Sequence, residues 1–261
     1  MTTEPRRGSA ERPRREVIVV LPIFNEAARL DQLLDRLEVA LHGQPHRIVA
    51  VDDGSADATP AILRARADAL PLITLRHAAN MGLAQTLDDG LRWAADSGRD
   101  DDVAVTMDAD DTHDPVYIAA MLAKLDEGYD VVGTSRFQPG GDSVGVPLRR
   151  QFFGRAGSTV LRAALPIPGV REFSCCYRAI RIGTLKRALE LFGADLIALR
   201  RWGFVCTAEL LWKLHLAGAR CAEIPFVLRY DLKESTSRMR LLRTVAGYVA
   251  LVWHYRRRIA S

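Results

Sequence analysis

Cysteine is scarce in this sequence, and long apolar runs are missing. The 261 residues include four cysteines, Cys175, Cys176, Cys206 and Cys221, with no metal-ligand spacing among them. Adjacent Cys175 and Cys176 cannot readily bridge to each other, so a disulfide-stapled scaffold is excluded. The four are expected as reduced thiols that pack as small apolar residues in a cytoplasmic protein. No stretch of about 18 uncharged apolar residues occurs, which excludes a spanning helix. Residues 1–16 are rich in Arg and Pro and lack the apolar core of a secretion signal. They are expected to be a disordered basic tail. There is no internal repeat. The chain is 48% hydrophobic and 26% charged, a globular composition long enough for one large domain or two small ones.

The net charge of +4 conceals an asymmetry. Residues 136–261 hold 22 Lys and Arg against 8 Asp and Glu, whereas residues 1–135 hold 14 against 24. An acidic half suits a metal ion, and a basic half suits phosphate or an anionic membrane surface. Nucleic acid would also suit a basic half, but these charges are interleaved with apolar runs and no nucleic-acid motif is present.

Short β-branched runs alternate with helical patterns through the first half. Residues 17–21, 47–51, 72–75, 103–107 and 131–133 read as strands. Residues 27–41, 82–95 and 115–127 read as helices, and a further helix opens near Thr59-Pro60, with Thr59 as its N-cap. This alternation predicts an α/β fold with a mostly parallel central sheet flanked by helices. Ligands of such sheets bind beyond the carboxyl ends of the strands. The loops at 22–26, 52–55 and 108–115 all follow strands and should converge on one site. In the second half, residues 138–147 read as a mobile Gly-rich loop. Residues 149–165, 203–216 and 241–258 read as helices, 172–181 as a polar strand-like segment and 223–230 as a strand. The 241–258 helix either packs on the rest of the domain or lies on an anionic membrane face.

The strongest chemical signal is Asp108-Ala109-Asp110-Asp111-Thr112-His113-Asp114-Pro115. Two carboxylates one residue apart, just past a buried strand, can share Mg²⁺ or Mn²⁺. The alternative is an acidic turn in which an Asp caps the next helix. Arginine suits bidentate contacts with phosphate, which draws attention to Arg136, Arg149, Arg150 and Arg155. Arg178 either joins them or pairs with Glu172.

Several further motifs accompany that acidic loop: Pro22-Ile23-Phe24-Asn25-Glu26, Val51-Asp52-Asp53-Gly54-Ser55, Asn80-Met81-Gly82-Leu83-Ala84 and Gly133-Thr134-Ser135-Arg136-Phe137. In this order they resemble glycosyltransferase family 2, with its GT-A nucleotide-binding fold, over roughly residues 17–240. Within that family the likeness is greatest to the polyprenol- and dolichyl-phosphate mannosyltransferases. Ser174-Cys175-Cys176-Tyr177-Arg178-Ala179 and Ser237-Arg238-Met239 contribute to it. The chain departs from that group at Thr112, where Gln is frequent, at Cys176, where Gly is usual, and at Arg238, where Lys is usual.

The resemblance implies an inverting, metal-dependent transfer of a hexose from a nucleotide sugar to a polyprenyl phosphate. The expected donor is GDP-mannose. Asp108, Asp110 and Thr112 would hold Mg²⁺ or Mn²⁺. Pro22, Phe24, Glu26, Val51, Asp53 and Ala109 would line the nucleotide-sugar site, and Asp110 and Arg136 would be catalytic. Arg149, Arg150, Arg155, Arg178, Lys233 and Ser237 would receive the acceptor phosphate. A peripheral enzyme on the cytoplasmic membrane face is expected, with no nucleic-acid partner. The alternatives are a UDP-sugar donor or a soluble hydroxyl acceptor, or a non-catalytic nucleotide-sugar-binding module. A polyprenyl phosphate is already ionised and needs no protein base. A hydroxyl acceptor would need one, with Asp111 and Glu172 as candidates and His113 better suited to helix entry.

Overall fold

The computed structural model describes residues 14–232 and 241–259. Lys233, Ser237 and residues 1–13 lie outside them, so the tail and those two phosphate ligands are expectations without a structural counterpart. Residues 14–16 are held: Glu16 pairs with Arg47 at 2.7 Å and Arg15 with Asp126.

The first half builds β1 (Val17–Ile23), α1 (Ala27–Ala40), β2 (His46–Asp52), α2 (Thr59–Arg66), β3 (Leu72–Arg76), α3 (Leu83–Ser97), β4 (Val103–Thr106), α4 (Tyr117–Asp126) and β5 (Val131–Ser135). The second half adds β6 (Asp142–Val144), α5 (Leu148–Ala164), β7 (Arg178–Arg181), α6 (Ile182–Phe192), α7 (Val205–Leu216), β8 (Cys221–Pro225), β9 (Val227–Arg229) and α8 (Leu241–Ile259). Seven strands form one sheet in the order β3-β2-β1-β4-β7-β5-β8. All its pairs are parallel except those of β7, which runs antiparallel to both β4 and β5.

Period-2 alternation on the buried strands feeds two cores. Val17, Val19 and Leu21 of β1 face α1 and α4, while Ile18 and Val20 face α3, α6 and α7. The α7 helix is buried on nearly every side, so its sequence has little amphipathic pattern.

Three expectations shift. Thr59 is the first residue of α2 rather than its cap, and Asp57 Oδ1 accepts the Thr59 N–H at 2.9 Å. The α6 helix was not foreseen. The 138–147 segment is more than a loop, because β6 within it pairs with β9. Its glycines serve close packing: Gly145 has φ +78°, and a Cβ there would lie 2.7 Å from the Asp231 nitrogen.

Gly90, inside α3, lies against the sheet. A Cβ at this position would come within 2.4 Å of Val20 Cγ1. Gly90→Ala gains about 1 kcal/mol in helix propensity but meets an overpacking cost of about 1–3 kcal/mol. The expected outcome is a lower urea midpoint with an unchanged m-value; an increase would show that Val20 yields freely.

Candidate active site

The sheet order places the carboxyl ends of β2, β1 and β4 side by side. Because β7 is antiparallel, its entry segment, residues 172–177, arrives at that same edge between β4 and β5. The loops converge as the sequence implied. The Asn25 N–H donates to Ser55 Oγ at 2.9 Å, and Asn25 Oδ1 accepts the Ala56 N–H at 2.8 Å. Among the described residues, only Asn25 and Asp111 combine a side chain with positive φ, 53° and 61°, and both sit in these loops. Short Asx side chains tolerate that conformation better than other residues do.

The acidic loop after β4 is held from several sides. Asp108 keeps 34% of its side-chain exposure, whereas Asp110 is buried. Thr112 is spent on Asp110: its hydroxyl donates to Asp110 Oδ1 at 2.6 Å and its N–H to the same oxygen at 3.2 Å. Arg36 of α1 reaches behind the loop to Asp111 and, at 2.7 Å, to Asp114 Oδ2. Burial pushes the Asp111 carboxyl up despite that arginine. His113 is sealed between Tyr177, stacked at 5.2 Å, and the edge of Phe226. Its Nδ1 lies 3.1 Å from the Asp108 nitrogen, which gives the ring a supporting role beneath the loop.

These groups fit a divalent cation of the Mg²⁺ or Mn²⁺ type. Asp108 and the Thr112-oriented Asp110 offer hard oxygens. Among the described residues no cluster of three or more metal-ligating side chains forms, so phosphate oxygens and water would complete the shell.

Arg136, just past β5, belongs to a buried cluster. Its Nε donates to Glu172 Oε1 at 2.8 Å, its Nη2 to the same oxygen, and its backbone N–H to Glu172 Oε2 at 2.8 Å. Nη2 also reaches Ser174 Oγ at 3.3 Å, while Nη1 takes no part in these bonds. Burial opposes the guanidinium's charge, but Glu172 outweighs it and holds the group protonated. Glu223 accepts the Glu172 N–H at 2.7 Å and a Gln138 amide N–H at 3.1 Å, with its carboxyl pushed up by burial. Phe137 carries a guanidinium on its ring from Arg136 at 5.3 Å and from Arg155 at 5.7 Å.

Several expected ligands lie elsewhere. Arg178 is buried and donates to the Thr207 and Phe173 carbonyls at 2.6 and 2.9 Å, so its guanidinium braces the fold and Glu172 pairs with Arg136 instead. Val51 is core, packed towards α3, and Ala109 is core on the opposite face. Asp53 is buried and its oxygens are taken: Oδ1 accepts from His77 Nδ1 and the Met81 N–H, both at 2.7 Å, and Oδ2 from the Gly82 N–H at 2.9 Å. It pins the 77–82 loop to the end of β2. Pro22, Phe24 and Glu26 remain part-exposed at the mouth. Arg149 and Arg155 are exposed on α5, and Arg150 donates to Tyr230 Oη at 2.7 Å. The parts the sequence did not announce are Arg36, Glu223 and the link from Asp53 through His77 to Asp89. Their partners lie too far apart in sequence for spacing to signal them.

The family profile described as Glycosyl transferase family 2 matches residues 18–189. The chain belongs to glycosyl transferase family 2. Polyprenol monophosphomannose synthase of Mycolicibacterium smegmatis is 30% identical over 217 residues, covering 82% of this chain and 77% of that one. Undecaprenyl-phosphate mannosyltransferase of Micrococcus luteus is 32% identical over 222 residues, covering 84% of this transferase and 86% of the relative. Among solved structures, glucosyl-3-phosphoglycerate synthase from Mycobacterium tuberculosis, in complex with Mn²⁺, UDP and glucosyl-3-phosphoglycerate, superimposes with a TM-score of 0.58 at 17% identity, covering 92% of this chain and 77% of that one. That likeness establishes the GT-A fold of this glycosyltransferase.

The His77 bridge sets a pH dependence. Burial lowers the affinity of its imidazole for a proton, but Asp53 at 2.7 Å and Asp89 at 3.0 Å raise it further, and the net shift is upward from 6.5. A raised folded pKa means that stability from this bridge is complete below the unfolded value and is lost as pH rises through the folded one. His77→Gln should flatten that alkaline-side loss in urea titrations across pH 6 to 9, roughly the span above the ordinary histidine value. Parallel curves for the two proteins would show that the bridge contributes nothing on protonation.

Proposed function

We propose that this family 2 enzyme transfers mannose from GDP-mannose to a polyprenyl phosphate, with inversion at the anomeric carbon. The observation that carries the reading is the juxtaposition of Asp108 and Asp110 at the end of β4 with Arg136 at the end of β5, across the entry to β7. The names of the two mannosyltransferase relatives, which span about four-fifths of the chain, support mannose as the sugar and a polyprenyl phosphate as the acceptor.

A divalent cation bound by Asp108 and Asp110 would supply charge stabilisation to the departing pyrophosphate. Thr112 keeps Asp110 turned for that duty. Pro22, Phe24 and Glu26 face the nucleotide at the mouth. Arg136 offers Nη1 to a phosphate while Glu172 holds the rest of its fork. Arg149, Arg150 and Arg155 of α5 lie on the acceptor's side. An acceptor phosphate oxygen attacks the anomeric carbon as the bond from that carbon to the pyrophosphate oxygen breaks. The phosphate is already ionised, so no side chain has to remove a proton. Asp111 and Glu172 are then free to hold Arg36 and Arg136. The enzyme works as a peripheral protein on the cytoplasmic membrane face.

Radiolabelled GDP-mannose or UDP-glucose, offered with a polyprenyl phosphate or with soluble sugars, tests the assignment. Label from GDP-mannose should enter the lipid only; transfer confined to soluble acceptors would overturn the lipid reading. Asp110→Ala should lower kcat by about 100-fold or more, the scale of losing one charge-stabilising group. It should leave the fold intact by circular dichroism, and excess EDTA should mimic the loss of turnover. Arg136→Lys keeps the charge but loses the fork that Glu172 grips. It should therefore raise KM for the lipid phosphate and lower kcat, whereas wild-type kinetics would reduce Arg136 to a structural partner of Glu172.

A further inference from the structure

We propose that the outward faces of α5 and α8 together form a docking surface for an anionic lipid bilayer. The proposal deepens the lipid-acceptor reading and rests on it for its purpose, though not for its test. The two helices lie 76 residues apart in sequence, from Ala164 to Leu241, yet pack on one another, with Gly157 of α5 beside the ring of Tyr248 of α8. On α8 the inner side is Thr244, Gly247, Leu251 and Tyr255, with the Tyr255 hydroxyl donating to buried Glu209 at 2.9 Å. The outer side carries Val245, Val249 and Trp253, spaced four residues apart and exposed. On α5 the outer side carries Leu148, Phe152, Phe153 and Val160. Every exposed Phe and Trp among the described residues lies on these two helices.

Charge decides what such a face can meet. Neither helix contains an Asp or Glu, while α5 has Arg149, Arg150, Arg155 and Arg162 and the α8 sequence has Arg243, Arg256, Arg257 and Arg258. Arg149, Arg155 and Arg162 are exposed beside the apolar residues. Apolar and aromatic side chains mixed with arginine on one helix face suit the headgroup boundary of an anionic bilayer. A second copy of the chain fits poorly, since it would set arginines against arginines with no carboxylate between them. Among the described residues no helix is long and apolar enough to cross a membrane, so these helices would lie along its surface. The placement suits the chemistry beneath: Arg155 stacks on Phe137, the ring that also carries Arg136. A bilayer on this face brings lipid phosphates to the side of the molecule where Arg136 sits.

The test is co-sedimentation of the full chain with phosphatidylcholine vesicles, with and without phosphatidylglycerol, at low and high salt. Binding should require the anionic lipid and be released by salt. Tryptophan emission should move to the blue on binding, and Trp253→Phe should remove that movement while retaining binding. Phe152→Ser with Trp253→Ser should weaken binding roughly tenfold or more at an unchanged melting temperature. If the double variant proves unstable, Phe152→Ser alone carries the comparison. Equal binding by wild type and variant, no preference for anionic vesicles, or a lipid-free dimer that the double variant dissolves would overturn the proposal. None of these readouts involves turnover, so failure of the transferase reading and failure of the docking surface are separately visible.

Discussion

The reversed direction of β7 is the constraint on which the site depends. In a wholly parallel sheet the segment preceding this strand would begin at the opposite edge, away from the loops after β1, β2, β4 and β5. Because β7 is antiparallel to both neighbours, residues 172–177 enter the sheet where the other strands leave it. That entry brings Glu172 to Arg136, Cys175 to 3.9 Å from His113, and the Tyr177 ring onto the same imidazole. The buried guanidinium of Arg178 fixes the turn by taking up carbonyls of Phe173 and Thr207. One strand's polarity therefore joins the acidic half of the chain to its basic half.

The pair formed there is costly to build and more costly to break. Glu172 is wholly buried, and Arg136 is part-buried. Removing one member of such a pair leaves an uncompensated charge, typically a loss of about 3–5 kcal/mol. The backbone N–H groups of Arg136 and Glu172 itself add to the cluster, the second through Glu223. Gripped along its Nε–Nη2 edge, the Arg136 guanidinium has a fixed orientation at the end of β5.

Legibility in the sequence followed from the range of the interactions. The parallel first half could be read because strand, helix and turn signals there are local: β-branched runs, leucines at helical spacing, and acidic loops at strand ends. The acidic loop that follows β4 was visible for the same reason. What spacing could not show was which way each side chain turns. Val51 and Asp53 are two residues apart and both belong to the recognised motif, yet both face inward, one to the core and one to the Met81 and Gly82 amides. Arg178 resembled a phosphate ligand because arginine is usually exposed, whereas here it is a buried brace. Gly145 was read as part of a mobile Gly-rich loop, whereas its close approach to Asp231 gives it a packing reason.

The acidic loop shows why positioning matters more than the count of carboxylates. Of its four Asp residues, Asp111 and Asp114 are engaged by Arg36 from α1 and Asp110 is oriented by Thr112, while Asp108 is part-exposed beside His113. Asp111 also adopts a left-handed backbone at a cost of about 1–3 kcal/mol. Arg36 pairs with its carboxylate, and the next residue, Thr112, bonds back to Asp110. Sequence neighbours with the same side-chain chemistry thus take different places: Asp111 and Asp114 anchor the loop to α1, while Asp110 is tied to Thr112 within it.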